Sequence, residues 1–356
     1  MQIWLDLRFL KSGDRYSTFV AVLIQNLIHL DNENNYTLYL SDQTKVSFPP
    51  QLKVEFIKEK PGSIAEQVSF YKKLKKDKNN LMIFFNEKKP LFYRGEYILF
   101  VKNLKELHYI EEQNQVKRFI FDLFLKNSLN QAKKIICFEH QTKSELNEKL
   151  NILENKIEII YPFFTLDKIS DEKILTDPRI KFNIKWEYFI YSWWRGNNKN
   201  LSKLLEVFSK LQKRKCNIHL VVLEQDLIED LDFRQEVIDN KIVERVHFIW
   251  ETTLLEKKAF YKYAIWSIFP SLYESFPFDL TESISYKSPI LASSIKQTKE
   301  IMWDSISYFS PISNIDIIEA IQNYISLPKQ NTDYKEILEK YTPKKTVDNL
   351  IKVIKS

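Results

Sequence analysis

The chain has 356 residues, 44% of them hydrophobic, with 53 lysines and arginines against 47 acids for a net charge of +6. That length exceeds one ordinary core and suits two domains of roughly 150 to 200 residues each, while so mild a charge is no signature of a nucleic-acid binder, which concentrates basic residues on one face or arm. Two distant cysteines, Cys137 and Cys216, argue against a disulfide framework or a cysteine zinc site, and the four glycines, Gly13, Gly62, Gly95 and Gly196, exclude a GxGxxG dinucleotide loop and a P-loop.

The opening stretch MQIWLDLRFL reads as a strand followed at once by charge, not as a signal peptide, and no segment has the length of a membrane span. A reducing cytoplasm is the expected setting. Strands are predicted at residues 3–7, 36–40, 54–57, 81–85, 97–101, 135–138 and 157–161. Between them lie helical patterns, such as Phe19, Leu23, Leu27 and Leu30, then Phe119, Leu123 and Leu129. This alternation argues for an α/β protein with a parallel sheet and helices on both faces. The pattern breaks at Pro162 and residues 165–185 are polar, so a first domain is assigned to residues 1–164. Strands at 187–191, 218–223, 246–249, 265–269 and 290–292 follow, with helices beginning near Leu201, Glu229, Leu254, Leu280 and Ile315. They define a second domain, 165–340. The last segment, 341–356, carries a helix expected to cross back onto the first domain.

Residues 266–283, WSIFPSLYESFPFDLTES, carry the most chemistry. The apolar run up to Phe269 reads as a buried strand ended by Pro270, which puts Glu274 in a loop past a strand's carboxyl end, the usual ligand crevice of an open α/β sheet. Asp279 and Glu282 read as an Asp-x-x-Glu capping box, with Leu280, Ile284 and Tyr286 on the helix's apolar side. From these residues alone, Glu282 stands equally as a helix cap and Glu274 as a solvated loop acid. An eight-residue spacing is not informative by itself, because Glu236 and Glu244 share it. Arg195 and Lys199 read as loop and helix-start charges. Asp230-Leu231-Asp232 has the form of a metal-holding Asp-x-Asp but sits in an acidic helical stretch and reads as surface charge. His29, His108, His140, His219 and His247 show no paired metal spacing. A nucleophilic serine elbow is missing for want of glycines.

The stretch PSLYESFPFDLTES resembles the signature of the retaining glycosyltransferases of family 4, which have the GT-B fold and carry Glu-x7-Glu at this place. Further likenesses follow in the family's order. MQIWLDLRFL and NNYTLYL resemble the opening of mannosyltransferase-like members, FIYSWWRGNNKNLSKLLEVF resembles the first strand and helix of the donor lobe, and SPILASSIKQTKEI with Tyr308, Phe309 and Pro311 resembles the stretch after the motif. The resemblance implies two Rossmann-like lobes with parallel sheets facing a central cleft, the first on the acceptor side and the second binding the donor. It implies transfer of a hexose, with retention, from a GDP- or UDP-linked nucleotide sugar to a glycan or lipid-linked acceptor in bacterial surface polysaccharide assembly. Arg195, Lys199 and Glu274 would carry catalysis, the two cations on the diphosphate and Glu274 near the transferred sugar. Glu282 would hold the ribose hydroxyls, with the backbone of Ser275, Phe276, Pro277 and Phe278 close to the sugar and Gly13, Lys102 and Asn103 facing the donor from the first lobe. No metal or other cofactor is implied.

The chain also departs from the family. Lys102 and Asn103 stand where His-Asp is usual, Trp193 and Trp250 replace glycines, and the family's Gly-Phe-Gly turn is Ser275-Phe276-Pro277, which removes one backbone donor. These changes keep open a catalytically silent protein that binds a nucleotide sugar or a partner glycosyltransferase, and, further off, another sugar-nucleotide enzyme such as an epimerase. The run YKKLKKDK (71–78) and the segment VKRFIFDLFLK (116–126) mix basic and bulky apolar residues. They read either as solvated helix faces or as a peripheral contact with an anionic membrane at its inner face.

Overall fold

The computed structural model describes residues 1–356 apart from 12, 43, 45, 47, 50–51, 60–62, 77–80, 88, 108–114, 168–174, 193–195, 224–228 and 327–331; the side chains of 64, 76, 106 and 115–122 are also outside the description. The chain forms two compact units, Met1–Thr165 together with Leu338–Ser356, and Leu166–Ile337. No helix among the described residues is long and apolar enough to cross a membrane.

The first unit is built on β1 (Gln2–Asp6), β2 (Asn35–Ser41), β3 (Lys53–Ile57), β4 (Leu81–Phe84), β5 (Tyr97–Phe100), β6 (Lys134–Cys137) and β7 (Ile157–Ile159). They make one parallel sheet in the order β3-β2-β1-β4-β5-β6-β7. Every residue of β4 and β5 is buried, the continuous apolar reading of strands covered on both faces. The helix Arg15–Leu30 starts at Asp14, whose carboxylate accepts the Ser17 amide at 2.7 Å, and it buries Phe19, Leu23 and Leu27 while Leu30 reaches solvent. The helix Gln115–Gln131 packs through Leu125 and Leu129, four residues apart on one face, and Leu123 is exposed. The expected stripe through Leu123 is thus corrected by one helical position pair; the side chain of Phe119 lies outside the description. The helix Pro343–Lys355 belongs to this unit, where it packs against Arg15–Leu30. Thr342 caps it, and the Thr346 hydroxyl donates to the Tyr161 carbonyl at 2.8 Å.

The second unit holds β8 (Tyr188–Tyr191), β9 (His219–Val222), β10 (Val246–Phe248), β11 (Trp266–Phe269), β12 (Ile290–Ser293) and β13 (Ser307–Phe309). The order β10-β9-β8-β11-β12-β13 is again parallel throughout. All strands read from the sequence are present; β13, three residues long with a polar start, was not among them. The chain runs outward from β8 to β10 and then returns to β11 on the other side of β8. The carboxyl ends of β8 and β11 therefore flank a topological switch point, where an open α/β sheet leaves a crevice. The pair β1 and β4 does the same in the first unit.

The histidines are less solitary than their spacing suggests. His219 and His247, 28 residues apart on the neighbouring strands β9 and β10, stack with ring centroids 4.8 Å apart and share a hydrogen bond, Nδ1 to Nε2, of 2.7 Å. Burial, then the charges of His247, Arg245 and Lys185, pushes His219 down to about 4, and burial also lowers His247. Both rings bind protons more weakly in the fold than in the unfolded chain, so their stabilisation is complete above pH 6.5 and is lost as the pH falls toward 4. Urea unfolding of this unit should show its midpoint falling between pH 7.5 and pH 4.5, with a shallower fall in His219→Gln; identical slopes would refute the assignment.

Candidate functional site

At the β8 edge, the chain leaves Tyr191 and forms a short 3-10 turn, Asn197–Lys199, before the helix Leu201–Lys213. Asn200 joins the two in a left-handed conformation (φ 55°), which asparagine tolerates better than most residues. Asn198 ties this turn to the loop after β11: its carboxamide donates to the Tyr273 carbonyl at 2.9 Å, and its own carbonyl accepts the Leu272 amide at 2.7 Å. The turn carries Lys199 into the interior, with its side chain 4% exposed. Its ammonium donates to Glu274 Oε1 at 2.5 Å and to Asp279 Oδ2. Burial acts to lower the Lys199 pKa, but Asp279 and Glu274 outweigh it and hold the ammonium above its ordinary value. Lys199 stays charged.

The expected capping box is not formed. The helix Thr281–Ser285 starts after Leu280 without a side-chain cap and is preceded by the 3-10 turn Phe278–Leu280. The buried ammonium takes Asp279, and Glu282 has a different task. Glu282 Oε1 accepts from Lys257, while Oε2 accepts the Tyr261 hydroxyl at 2.7 Å; Tyr261 is in turn paired with the Ser192 hydroxyl at the end of β8. Leu280, Ile284 and Tyr286 are buried as the helical pattern predicts.

In the intervening loop, Ser275, Phe276, Pro277 and Phe278 are all buried. The Ser275 hydroxyl oxygen is buried without a hydrogen-bond partner among the described residues. The Phe278 amide donates to the Phe276 carbonyl at 2.8 Å, and Pro277 has no N–H. Besides the donor that proline removes, as the sequence shows, the turn consumes the Phe278 amide. Arg195, Trp193 and Trp194 lie outside the described residues. Trp250 is exposed, with the Arg234 guanidinium 4.9 Å from its ring.

Gly13, Lys102 and Asn103 lie in the first unit, at the carboxyl ends of its strands. Gly13 has φ +82°, the left-handed region that favours glycine. The Lys102 amide donates to Glu87 at 3.1 Å, its ammonium lies 4.9 Å from the Tyr16 ring centroid, and Asn103 accepts the Lys105 amide at 3.3 Å. Asp230 of the Asp-x-Asp stretch caps the helix Leu231–Asp239 by accepting the Phe233 amide at 2.9 Å. Among the described residues, no three His, Cys, Asp or Glu side chains come together as a metal site.

Sequence reasoning brought Lys199, Glu274 and Glu282 forward but missed the partners Asp279, Lys257, Tyr261 and Ser192. One signal was available. Lys257 and Tyr261 stand four apart in a helical stretch, hence on one face. Removing Lys199 would leave two carboxylates side by side without their cation, so Lys199→Met should lower stability in urea by about 3 kcal/mol. Asp279→Asn should then recover about 1 kcal/mol in the Lys199→Met background. Purely additive effects of the two substitutions would refute the coupling.

Residues 177–341 match the family model of the glycosyl transferases group 1. The O-antigen chain mannosyltransferase RfbU of Salmonella typhimurium is 22% identical over 226 residues, 64% of this chain and 60% of that protein, so the chain matches less than two thirds of that relative's length. Among solved structures, sucrose-phosphate synthase from Thermosynechococcus elongatus superposes with a TM-score of 0.75 at 14% identity, covering 100% of this chain and 98% of the other. Anabaena Alr3699/HepE, solved in complex with UDP and glucose, gives a TM-score of 0.70 at 13% identity, covering 100% and 99%. The chain thus has the GT-B fold, and its Lys199, Glu274 and Glu282 cluster lies within the residues that match the glycosyl transferases group 1 model.

Proposed function

We propose that this chain is a retaining glycosyltransferase of family 4 that moves a hexose from a GDP- or UDP-linked donor to a glycan or lipid-linked acceptor during assembly of bacterial surface polysaccharide. The second unit would bind the donor and the first the acceptor. The observation that carries this reading is the buried Lys199 ammonium between Glu274 and Asp279, at the switch point of the second sheet, with Glu282 nearby in the same loop-and-helix segment. As the glycosidic bond breaks, negative charge develops on the leaving diphosphate. Lys199 supplies a fixed cation there, and Arg195, four residues earlier, a forked one. Glu274 would then turn from Lys199 toward the hydroxyls of the transferred hexose, and Glu282 would accept from the ribose. The name of the Salmonella relative supports mannose as the sugar, and the Anabaena complex with UDP and glucose supports a nucleotide-sugar donor.

A panel of UDP- and GDP-hexoses with glycan acceptors, read by NMR, should give a product with the donor's anomeric configuration; an inverted product overturns the mechanism. Lys199→Ala and Glu274→Gln should each lower kcat by about 10²- to 10³-fold, and unchanged turnover in both would remove the site. Because the chain's own cations neutralise the diphosphate, activity should survive EDTA.

Lys102 and Asn103 favour a second reading, a silent protein that binds nucleotide sugar or a partner glycosyltransferase, because both side chains are engaged in local contacts where the family's usual His-Asp is missing. Tight nucleotide binding with no turnover of any donor would select it.

Peripheral contact with anionic lipid is also part of the proposal. Val68 and Phe92 are exposed, as are Lys72 and Lys75 on the helix Ile64–Lys76 that bears Val68. Residues 77–78 and the side chains of 116–122 from the two basic segments lie outside the description. Flotation with phosphatidylserine vesicles should recover the protein, more at low salt than at high; equal recovery on neutral vesicles would refute it.

A further inference from the structure

We infer that Lys257 and Tyr261 are positioning residues that fix the Glu282 carboxylate for the ribose diol of the donor and so set a preference for ribonucleotides over 2′-deoxyribonucleotides. This rests on the donor-site reading above. Both residues project from the helix Leu254–Tyr263, whose first turn is pinned by a capping box between Thr253 and Glu256. Standing four apart, they share a face and reach the two oxygens of one carboxylate, Lys257 on Oε1 and Tyr261 on Oε2 at 2.7 Å. Tyr261 is itself fully buried, lies against the Tyr286 ring with centroids 5.2 Å apart, and is paired with Ser192 at the end of β8. The phenol is therefore held from the strand side, and the carboxylate cannot rotate without breaking contacts to two side chains of the helix.

An ionised carboxylate offers about four acceptor positions, so a vicinal diol can donate to an anion already gripped by two donors. A 2′-deoxyribose supplies one hydroxyl fewer. A site built around a fixed acceptor penalises that loss, whereas a carboxylate free to turn re-solvates and discriminates less. Lys257 acts from the more exposed side, with its side chain 28% exposed against 5% for Glu282.

Calorimetric titration of the full chain with UDP and 2′-deoxy-UDP, and with GDP and 2′-deoxy-GDP, tests this. Wild type should bind its ribonucleotide about 10-fold more tightly than the deoxy form. Tyr261→Phe and Lys257→Met should bring the ratio below about threefold while changing deoxynucleotide affinity less than about twofold, and Lys257→Arg should keep the wild-type ratio. If both variants keep that ratio while Glu282→Gln loses it, the positioning role falls and the Glu282 reading stands. If Glu282→Gln keeps the ratio, the donor-site reading falls with it. A variant that loses ribo- and deoxynucleotide alike points to a structural role and overturns the inference, as does a wild type that binds neither nucleotide.

Discussion

A buried ammonium must be neutralised where it lies, and much of the β8–β11 edge is arranged around that demand. Leaving Lys199 unpaired in the interior would cost several kcal/mol. Glu274 and Asp279 supply the counter-charge from opposite ends of one loop, and Asn198, the residue before Lys199, stitches the same loop by hydrogen bonds in both directions. Two segments about 75 residues apart are thus held together by one charge and one amide.

The topology determines where this can happen. A parallel sheet that grows outward from β8 and then returns to β11 separates the loops that follow those two strands from the helices that cover its faces, so side chains from both loops can meet without a helix between them. Ser192 follows β8 and Glu282 follows β11, and the helix before β11 brings Lys257 and Tyr261 to the same carboxylate. Residues from three connections of the sheet thus form one hydrogen-bonded chain, Ser192 to Tyr261 to Glu282, with Lys257 beside it. Such a chain gives a polar network its rigidity, because both donors come from one helix and the phenol is also held from the end of β8.

The sheet was legible because buried parallel strands read as unbroken apolar runs, as in β4 and β5. β13 was not, because three residues beginning with serine carry too little pattern. Glu274 and Glu282 could be found from their place after a strand, yet their partners could not. Asp279 looked like a helix cap because its spacing to Glu282 fits one, and only the interior position of Lys199 shows why its carboxylate turns elsewhere. The His219–His247 pair shows the same limit: neighbouring parallel strands put residues 28 apart into contact with no local signal of it. Arg195 and the two tryptophans before it fall outside the described residues, so they remain as the sequence presents them.

The scarcity of glycine gives the site its particular character. Glycine-rich loops hold anions with backbone amides, which need open φ/ψ space and close approach. Here Ser275, Pro277 and Phe278 occupy the loop after β11; one position has no N–H and another spends its amide on the turn. The ordering that a glycine backbone would supply comes instead from side chains: Lys199 between two acids, and Glu282 between an ammonium and a phenol. Side-chain cations held in the interior must be neutralised by their neighbours. The acids beside Lys199 follow from that requirement, and a loop with more glycine would have less need of them.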